Sequence, residues 1–396
     1  MVSGEMLALG RNSSVIRDIA EYGQQRCRQV GAENVFDFSI GNPNVPAPQA
    51  VTDMLQDLIR QTPAAALHAY TSAPGDYSVR QAVAEYVRST FGYEAKAEYV
   101  YMTAGASSSL AISLNAIAEP GDEVIVFTPY FPEYRVFIEK TGAKFVAVNS
   151  AEDTFQIDSA ALAAAINRHT KAVIVNSPGN PTGVVLNQQS IDSLARILAA
   201  RSEEYDHPIY LIADEPYREL VYDNIRVPYI PCFYKNTILC YSFSKSLSLP
   251  GERIGYILVA TEAEDADAVF DAVCGAGRAL GYVCAPSLLQ QLIKNCLGIT
   301  VDISVYDENR KLLYGALREY GYEAVYPDGA FYLFVKALEP DANAFCEKAK
   351  QFDLLLVPAD SFGCPGYVRI AYCVTTEQIQ RSLPAFRKLA ALYKGE

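Results

Sequence analysis

The chain has 396 residues, half of them apolar and a fifth charged, with 46 acidic against 33 basic side chains and a formal charge of −13. That length predicts two domains, or one large domain with a satellite. The charge argues against nucleic acid or an anionic membrane as partner, because both call for a positive footprint.

In chain order, the first residues lack the basic lead and apolar core of a signal peptide, and no later run is apolar enough to span a bilayer. Nine scattered cysteines without a C-x-x-C pair read as reduced thiols, so a cytoplasmic location is expected. Three histidines, His68, His169 and His207, lie too far apart to give metal-ligand spacing. The segment "ASSSLAISLNAIAEPGD" reads as a helix closed by Pro120-Gly121. From Glu123 on, β-rich runs appear at "EVIVFTP", "KFVAVN", "AVIVNSP", "PIYLIADEPY", "TILCYSF" and "GYILVA". Helical patterns such as "YRVFIEKTG", "SAALAAAINRH" and "SIDSLARILAARSEEY" separate them. This alternation predicts an α/β fold whose mostly parallel sheet is covered on both faces. After about Ala285 one long helical stretch, through "YGALREYGY", leads into a short α+β tail with "GAFYLFV", "ANAFCEKAKQF", "YVRIAY" and a final helix. The tail is expected to be a second, smaller domain joined through that helix.

In an open α/β sheet, ligands bind beyond the carboxyl ends of the strands. Three strand ends here carry chemistry: Asn176 to Gly183 ("NSPGNPTG"), Asp214 to Tyr217 ("DEPY"), and Ser244-Lys245 with Arg253 eight residues on. A lysine alone at a strand end ordinarily points into water, since its charge is costly to bury. An amide, a carboxylate with a phenol, and a lysine with hydroxyls at three strand ends predict one shared site instead.

Two motif matches mislead. "SFSK" fits the S-x-x-K of serine acyl-transferring enzymes, but it closes a strand, and "KTG" at Lys140 precedes it when it should follow. "GAGRALG" misses the G-x-G-x-x-G spacing and follows a helix. A phosphate site can be built otherwise. "TAGASSSLAI" puts Gly105 and three serines at a helix start, where free N–H groups and the helix dipole favour an anion. One serine there would ordinarily be no more than an N-cap. Ser242 and Arg253 would add a hydroxyl and a guanidinium to the same phosphate. A lysine, a phosphate cradle and a carboxylate at a neighbouring strand end suit pyridoxal 5'-phosphate, which takes a lysine through a Schiff base and an acidic partner at its ring nitrogen.

With "SIGNPNVPAP", "AYTSAPGDYSVRQAVAEY", "TAGASSSL", "PYFPEY", "NSPGNPTG", "DEPY", "SFSKSLSLPGERIGY" and "YVRIAY" in this order, the chain resembles the fold-type I, class I/II aminotransferases over nearly its whole length. The resemblance implies a seven-stranded sheet in a large domain over 46–294, with 1–45 and 295–396 forming the small domain. It implies Lys245 as Schiff-base lysine and proton shuttle, and Asp214 at the pyridinium nitrogen. Tyr217 and Asn180 would reach the cofactor's 3-oxygen, and Gly105, Ala106, Ser107, Ser242 and Arg253 would surround its phosphate. Phe131 would stack on the ring, with Tyr130 the alternative in a chain that has no tryptophan. Gly41 would lie beside the substrate and Arg369 would bind its α-carboxylate. Tyr70 would reach the phosphate of a second subunit, so a homodimer is implied.

The expected reaction moves an amino group from an L-amino acid to a 2-oxo acid, in the manner of an aspartate aminotransferase. One rival is β-elimination or cyclisation with the same cofactor. Another is an aminotransferase-like sensor module, which would call for a DNA-binding segment. Aspartate-preferring relatives often carry a lysine where this chain has Ser107. Arg278 lies near the place of a distal-carboxylate arginine, one residue out of register, and otherwise reads as a solvent-facing helix end.

Overall fold

A computed structural model of the chain describes residues 2–11 and 15–395. Seven strands make the main sheet: β1 (Val100–Thr103), β2 (Glu123–Thr128), β3 (Lys144–Asn149), β4 (Thr170–Asn176), β5 (Tyr210–Asp214), β6 (Thr237–Ser242) and β7 (Gly255–Val259). Their order is β1-β7-β6-β5-β4-β2-β3, and only the two pairings of β7 are antiparallel. The six β-rich runs of the sequence are β2 to β7. The seventh, β1, is four residues long and had no run of its own.

Both faces of the sheet are covered, and the strands show why. Ile125, Val173, Val175, Leu211 and Leu239 enter one core beside Val83, Leu194 and Val273 of the covering helices. The alternating residues Val124, Val126, Ile174, Ile212 and Cys240 enter another beside Leu110, Leu114 and Ile138. With side chains pointing to opposite faces at every step, a strand buried on both sides must be apolar throughout. Polar residues are therefore pushed to the strand ends. The register sets Asn176 opposite Asp214, and Asp214 opposite Cys240, so three strand ends meet at one edge.

The tail carries a second sheet of β8 (Tyr332–Lys336), β9 (Val357–Pro358) and β10 (Tyr367–Ala371), antiparallel in the order β9-β10-β8. Phe331, Leu333, Ile370, Phe345 and Phe386 fill its own core. Phe36–Asp37 pairs in parallel with Leu354–Leu355, which ties the chain before Gly41 to this part.

One expectation is corrected. The long helical stretch after Ala285 is two helices, Ser287–Cys296 and Ser304–Tyr320. Between them Gly298 takes a φ of 81°, and the β-branched Ile299, Thr300 and Val301 follow. Glycine in a left-handed turn and a β-branched run both end a helix. "GAGRA" is likewise the last turn of the helix Ala266–Ala279, with Gly277 close against the Tyr101 hydroxyl. Among the described residues no helix is long and apolar enough to cross a membrane.

Candidate active site

Lys245 sits in the short helix Phe243–Ser246, which begins where β6 ends. Ser242 caps that helix: its Oγ accepts from the Ser244 amide at 3.1 Å and lies 2.7 Å from the Ser244 hydroxyl. The cap turns the chain so that Lys245 points back over the sheet edge. Its Nζ donates to the Gly41 carbonyl at 2.8 Å and lies 5.4 Å from the centre of the Phe331 ring. Burial, with Arg253 and Arg369 nearby, pushes the ammonium down to about 8.

Asp214, at the end of β5, is buried. Its Oδ2 accepts from the Tyr134 hydroxyl at 2.6 Å and from the Asn176 amide nitrogen at 3.5 Å. Its Oδ1 is buried with no partner at all. Burial pushes the carboxyl up to about 7, although the Tyr134 bond pulls the other way. Asn176 also donates to the Asp214 carbonyl at 2.8 Å and accepts from the Asn180 amide at 2.7 Å, which fixes the turn after β4. Asn180 Oδ1 accepts from Arg369 Nη1 at 3.1 Å, so its side-chain nitrogen is turned away from the guanidinium.

Arg369 comes from β10 and is buried. Its Nη2 donates to the Ser39 carbonyl, the guanidinium lies 4.8 Å from the centre of the Tyr332 ring, and Nε has no partner. Tyr332 also shares a 2.9 Å hydrogen bond with the Tyr217 hydroxyl. Gly41 is needed here, since a Cβ would fall 2.0 Å from the Tyr332 hydroxyl oxygen.

At the third corner, the helix Ala106–Ile117 follows Gly105, whose φ of 87° and ψ of 173° belong to glycine. A Cβ there would stand 2.7 Å from Arg253 Nη2. Arg253 itself takes a φ of 53° and reaches Ser244 Oγ and the Pro250 carbonyl. A guanidinium thus faces the exposed amides of a helix start.

A single cleft of about 270 Å³ is lined by Gly41, Ala106, Ser107, Phe131, Asn180, Asp214, Tyr217, Ser242, Lys245, Arg253 and Arg369 together. Gly105 stands directly behind Arg253. Phe131 lines this cleft, whereas Tyr130 packs edge-on against Phe145. Two of the named residues are not brought in. Tyr70 is 93 % exposed and lines no part of it. Arg278 is exposed in the last turn of its helix. Sequence reasoning missed Tyr134, Tyr332 and Ile16, all of which touch the site or line it. Asn176, last residue of an apolar strand, had a readable signal; a tyrosine or isoleucine in an amphipathic segment has none.

The model of the family aminotransferase class I and II matches residues 33–386. The chain belongs to this family. An amino transferase structure from Eubacterium rectale superposes with a TM-score of 0.98 at 54% identity, over 99% of each chain. The aspartate aminotransferase of Thermotoga maritima is 28% identical over 356 residues, 89% of this chain and 90% of its own length. The aspartate aminotransferase of Thermus thermophilus with maleate gives a TM-score of 0.85 at 26% identity, over 98% and 100%. This aminotransferase has the fold expected of it and depends on pyridoxal 5'-phosphate. The relatives favour transamination over the lyase and sensor alternatives.

The residues present fit that cofactor. A buried carboxylate oxygen left bare is costly unless something donates to it, and a protonated ring nitrogen is such a donor. At Gly105 a Cβ would crowd the Arg253 guanidinium, so the glycine lets that cation, which suits a phosphate, stand beside the helix start.

Proposed function

We propose that this aminotransferase transfers the amino group of an L-amino acid to a 2-oxo acid, with Lys245 holding the cofactor and carrying the proton. When bound, pyridoxal phosphate supplies an electron sink for the charge that develops at the substrate's α-carbon. Asp214, with Oδ2 occupied by Tyr134 and Asn176, has Oδ1 free and would offer it to the ring nitrogen, holding a proton there. Gly105, Ala106, Ser107, Ser242 and Arg253 hold the phosphate by backbone amides, hydroxyls and a guanidinium. Phe131 would lie beside the ring, and Tyr217 and Asn180 would donate at its 3-oxygen.

Arg369 takes the substrate's α-carboxylate. Its unpartnered Nε supports this role, because a buried donor without an acceptor awaits one from the ligand. Lys245, lowered to about 8, exists partly as free amine near neutral pH and can take a proton from the α-carbon. The observation that carries the reading is the bare Asp214 Oδ1 in the same cleft as Lys245.

The large domain is assigned to 46–294, and the small domain to 1–45 with 295–396. The active form is a homodimer in the cytoplasm. Tyr70, ring-exposed on its own subunit, serves the phosphate of the other. Arg278, outside its own cleft, can meet a distal carboxylate only across that interface.

A donor panel tests the reaction, with each amino acid offered alone and then with 2-oxoglutarate, oxaloacetate or pyruvate. Turnover should demand both partners. Pyruvate and ammonia from a single amino acid would make the enzyme a lyase. Aspartate activity lost selectively in Arg278→Ala would assign Arg278 the distal carboxylate.

A further inference from the structure

Arg369 is placed by more than its strand. Its guanidinium lies 4.8 Å from the centre of the Tyr332 ring and 5.2 Å from that of Phe362, and these rings confine it. Two acceptors then set its direction: Asn180 Oδ1, at 3.1 Å from Nη1, and the Ser39 carbonyl, which Nη2 reaches. Asn180 is itself part of the site. Ser39 lines no part of the cleft, so something outside the cleft must aim its carbonyl.

Ser39 is fully buried, and each of its polar groups therefore needs a partner within the protein. The carboxylate of Asp37 is that partner for the amide and the hydroxyl alike. Its Oδ1 accepts from the Ser39 amide at 2.8 Å and from the Ser39 hydroxyl at 2.6 Å. The Phe38 carbonyl, at the other end of the same peptide unit, accepts from the Ala371 amide at 2.9 Å. The peptide entering Ser39 is thus held at both ends, and the side chain is tied as well. The carbonyl that follows is left aimed at Arg369.

Asp37 in turn is anchored. It ends the short parallel pairing of Phe36–Asp37 with Leu354–Leu355, and the Phe38 amide continues that ladder to the Leu355 carbonyl at 3.0 Å. Gln378 Nε2 donates to the Asp37 carbonyl at 3.4 Å. The helix Val15–Val30 closes the remaining side at Gly23, where a Cβ would fall 3.0 Å from Asp37 Oδ2 and 2.8 Å from Leu355 Cδ1. A glycine there lets the helix backbone press against the carboxylate.

We propose that Asp37 is a positioning residue for substrate binding, which through Ser39 aims Arg369 at the substrate's α-carboxylate. The proposal rests on Arg369 taking that carboxylate. A guanidinium grips a carboxylate well only when its N–H groups are aimed beforehand, because the paired bonds are directional. Every amino acid and 2-oxo acid should feel the loss of that aim alike, since all carry the group. Binding suffers and proton transfer at Lys245 is spared, so KM should rise while kcat holds.

The test compares Asp37→Ala, Asp37→Asn, Ser39→Ala and Arg369→Lys with wild type, all as holoenzymes. KM and kcat are measured for the best donor of the amino-acid panel. Calorimetry adds the dissociation constants of pyruvate and 2-oxoglutarate. In the lysine-bound form of the cofactor these acids find no amino group to accept, and so report binding alone. Asp37→Ala should raise KM and both dissociation constants about tenfold, the low end for one charge-assisted hydrogen bond, with kcat within about twofold. Asp37→Asn keeps an oxygen for both Ser39 donors and should stay within about threefold of wild type. Ser39→Ala loses only the hydroxyl bond and should show a rise of about two- to threefold.

A merely structural turn would lower the melting temperature of Asp37→Ala and leave KM and both constants in place, which overturns the proposal. So does an equal loss in kcat, or an Asp37→Asn as poor as Asp37→Ala. Should Asp37→Ala fail to fold, Ser39→Ala decides alone, and unchanged constants there overturn the proposal. Arg369→Lys separates the two levels of failure. If it too leaves the constants unchanged, Arg369 does not hold the α-carboxylate; if it raises them and Asp37→Ala does not, only the role of Asp37 is lost.

Discussion

At the scale of single residues, the site is a set of groups whose protonation is set by burial and then trimmed by one neighbour each. Asp214 shows this most directly. Burial favours its neutral form and the 2.6 Å bond from Tyr134 favours the ionised one, which the ring nitrogen needs. Tyr134→Phe removes that bond, so its carboxyl should rise further and cofactor affinity at pH 7 should drop by about tenfold. Stability of the cofactor-free protein gives the sign independently. A carboxyl raised from 3.8 to about 7 makes a contribution that is full below pH 4 and is lost as pH climbs through 7. Melting temperature of the cofactor-free protein should therefore decline over that window, and the decline should extend to higher pH in Tyr134→Phe. Unchanged affinity and an unchanged pH profile would show that Tyr134 is only packing. Lys245, Asp214 and Asn180 were legible in the sequence because charged or amide groups interrupt apolar strands at or just beyond their ends, whereas Arg369, in the middle of β10, was named only through the resemblance. Tyr134 was not, because a tyrosine in a helix beside a sheet looks like any other core residue.

Elements add what single residues lack, namely direction. The cap by Ser242 turns Lys245 inward, and the glycine backbone at Gly105 leaves the helix Ala106–Ile117 open under Arg253. Gly105→Ala meets two penalties: a backbone region reserved for glycine, costing about 1–3 kcal/mol, and a methyl against the guanidinium. Its cofactor affinity should fall at least about tenfold while the protein remains folded, as read by cofactor titration beside circular dichroism. Wild-type affinity would mean that the phosphate lies elsewhere. Strands β2 to β7 were readable as apolar runs, since strands buried on both faces must be apolar throughout. The short edge strand β1 was too brief to stand out. The break at Leu297–Ile303 was hidden because the helical residues on both sides of it share one period, and a single Gly298 was the only punctuation.

For the whole molecule, the two sheets converge on one cleft: Lys245 and Asp214 come from the main sheet, Arg369 from the small one. Tyr70 remains outside, its ring 93 % exposed. If it serves a second subunit, mixing inactive Tyr70→Phe with inactive Lys245→Ala should restore part of the activity, because one site of the hybrid is intact. No recovery after demonstrated subunit exchange would remove Tyr70 from the site. The N-terminal helix Val15–Val30, from which Ile16 reaches the cleft, carried no functional signal in the sequence; only folding brings it there. Amphipathic periodicity shows that a helix has a buried face, not what that face meets.

The central claim is that Lys245 holds the cofactor against Asp214. Borohydride reduction of the holoenzyme followed by peptide mass spectrometry tests it without reference to any substrate. The mass of the reduced cofactor should appear on the peptide containing "SFSKSLSLPGER", at Lys245, and Lys245→Ala should bind no cofactor covalently. A label on any other lysine, or full covalent loading of Lys245→Ala, would contradict the account.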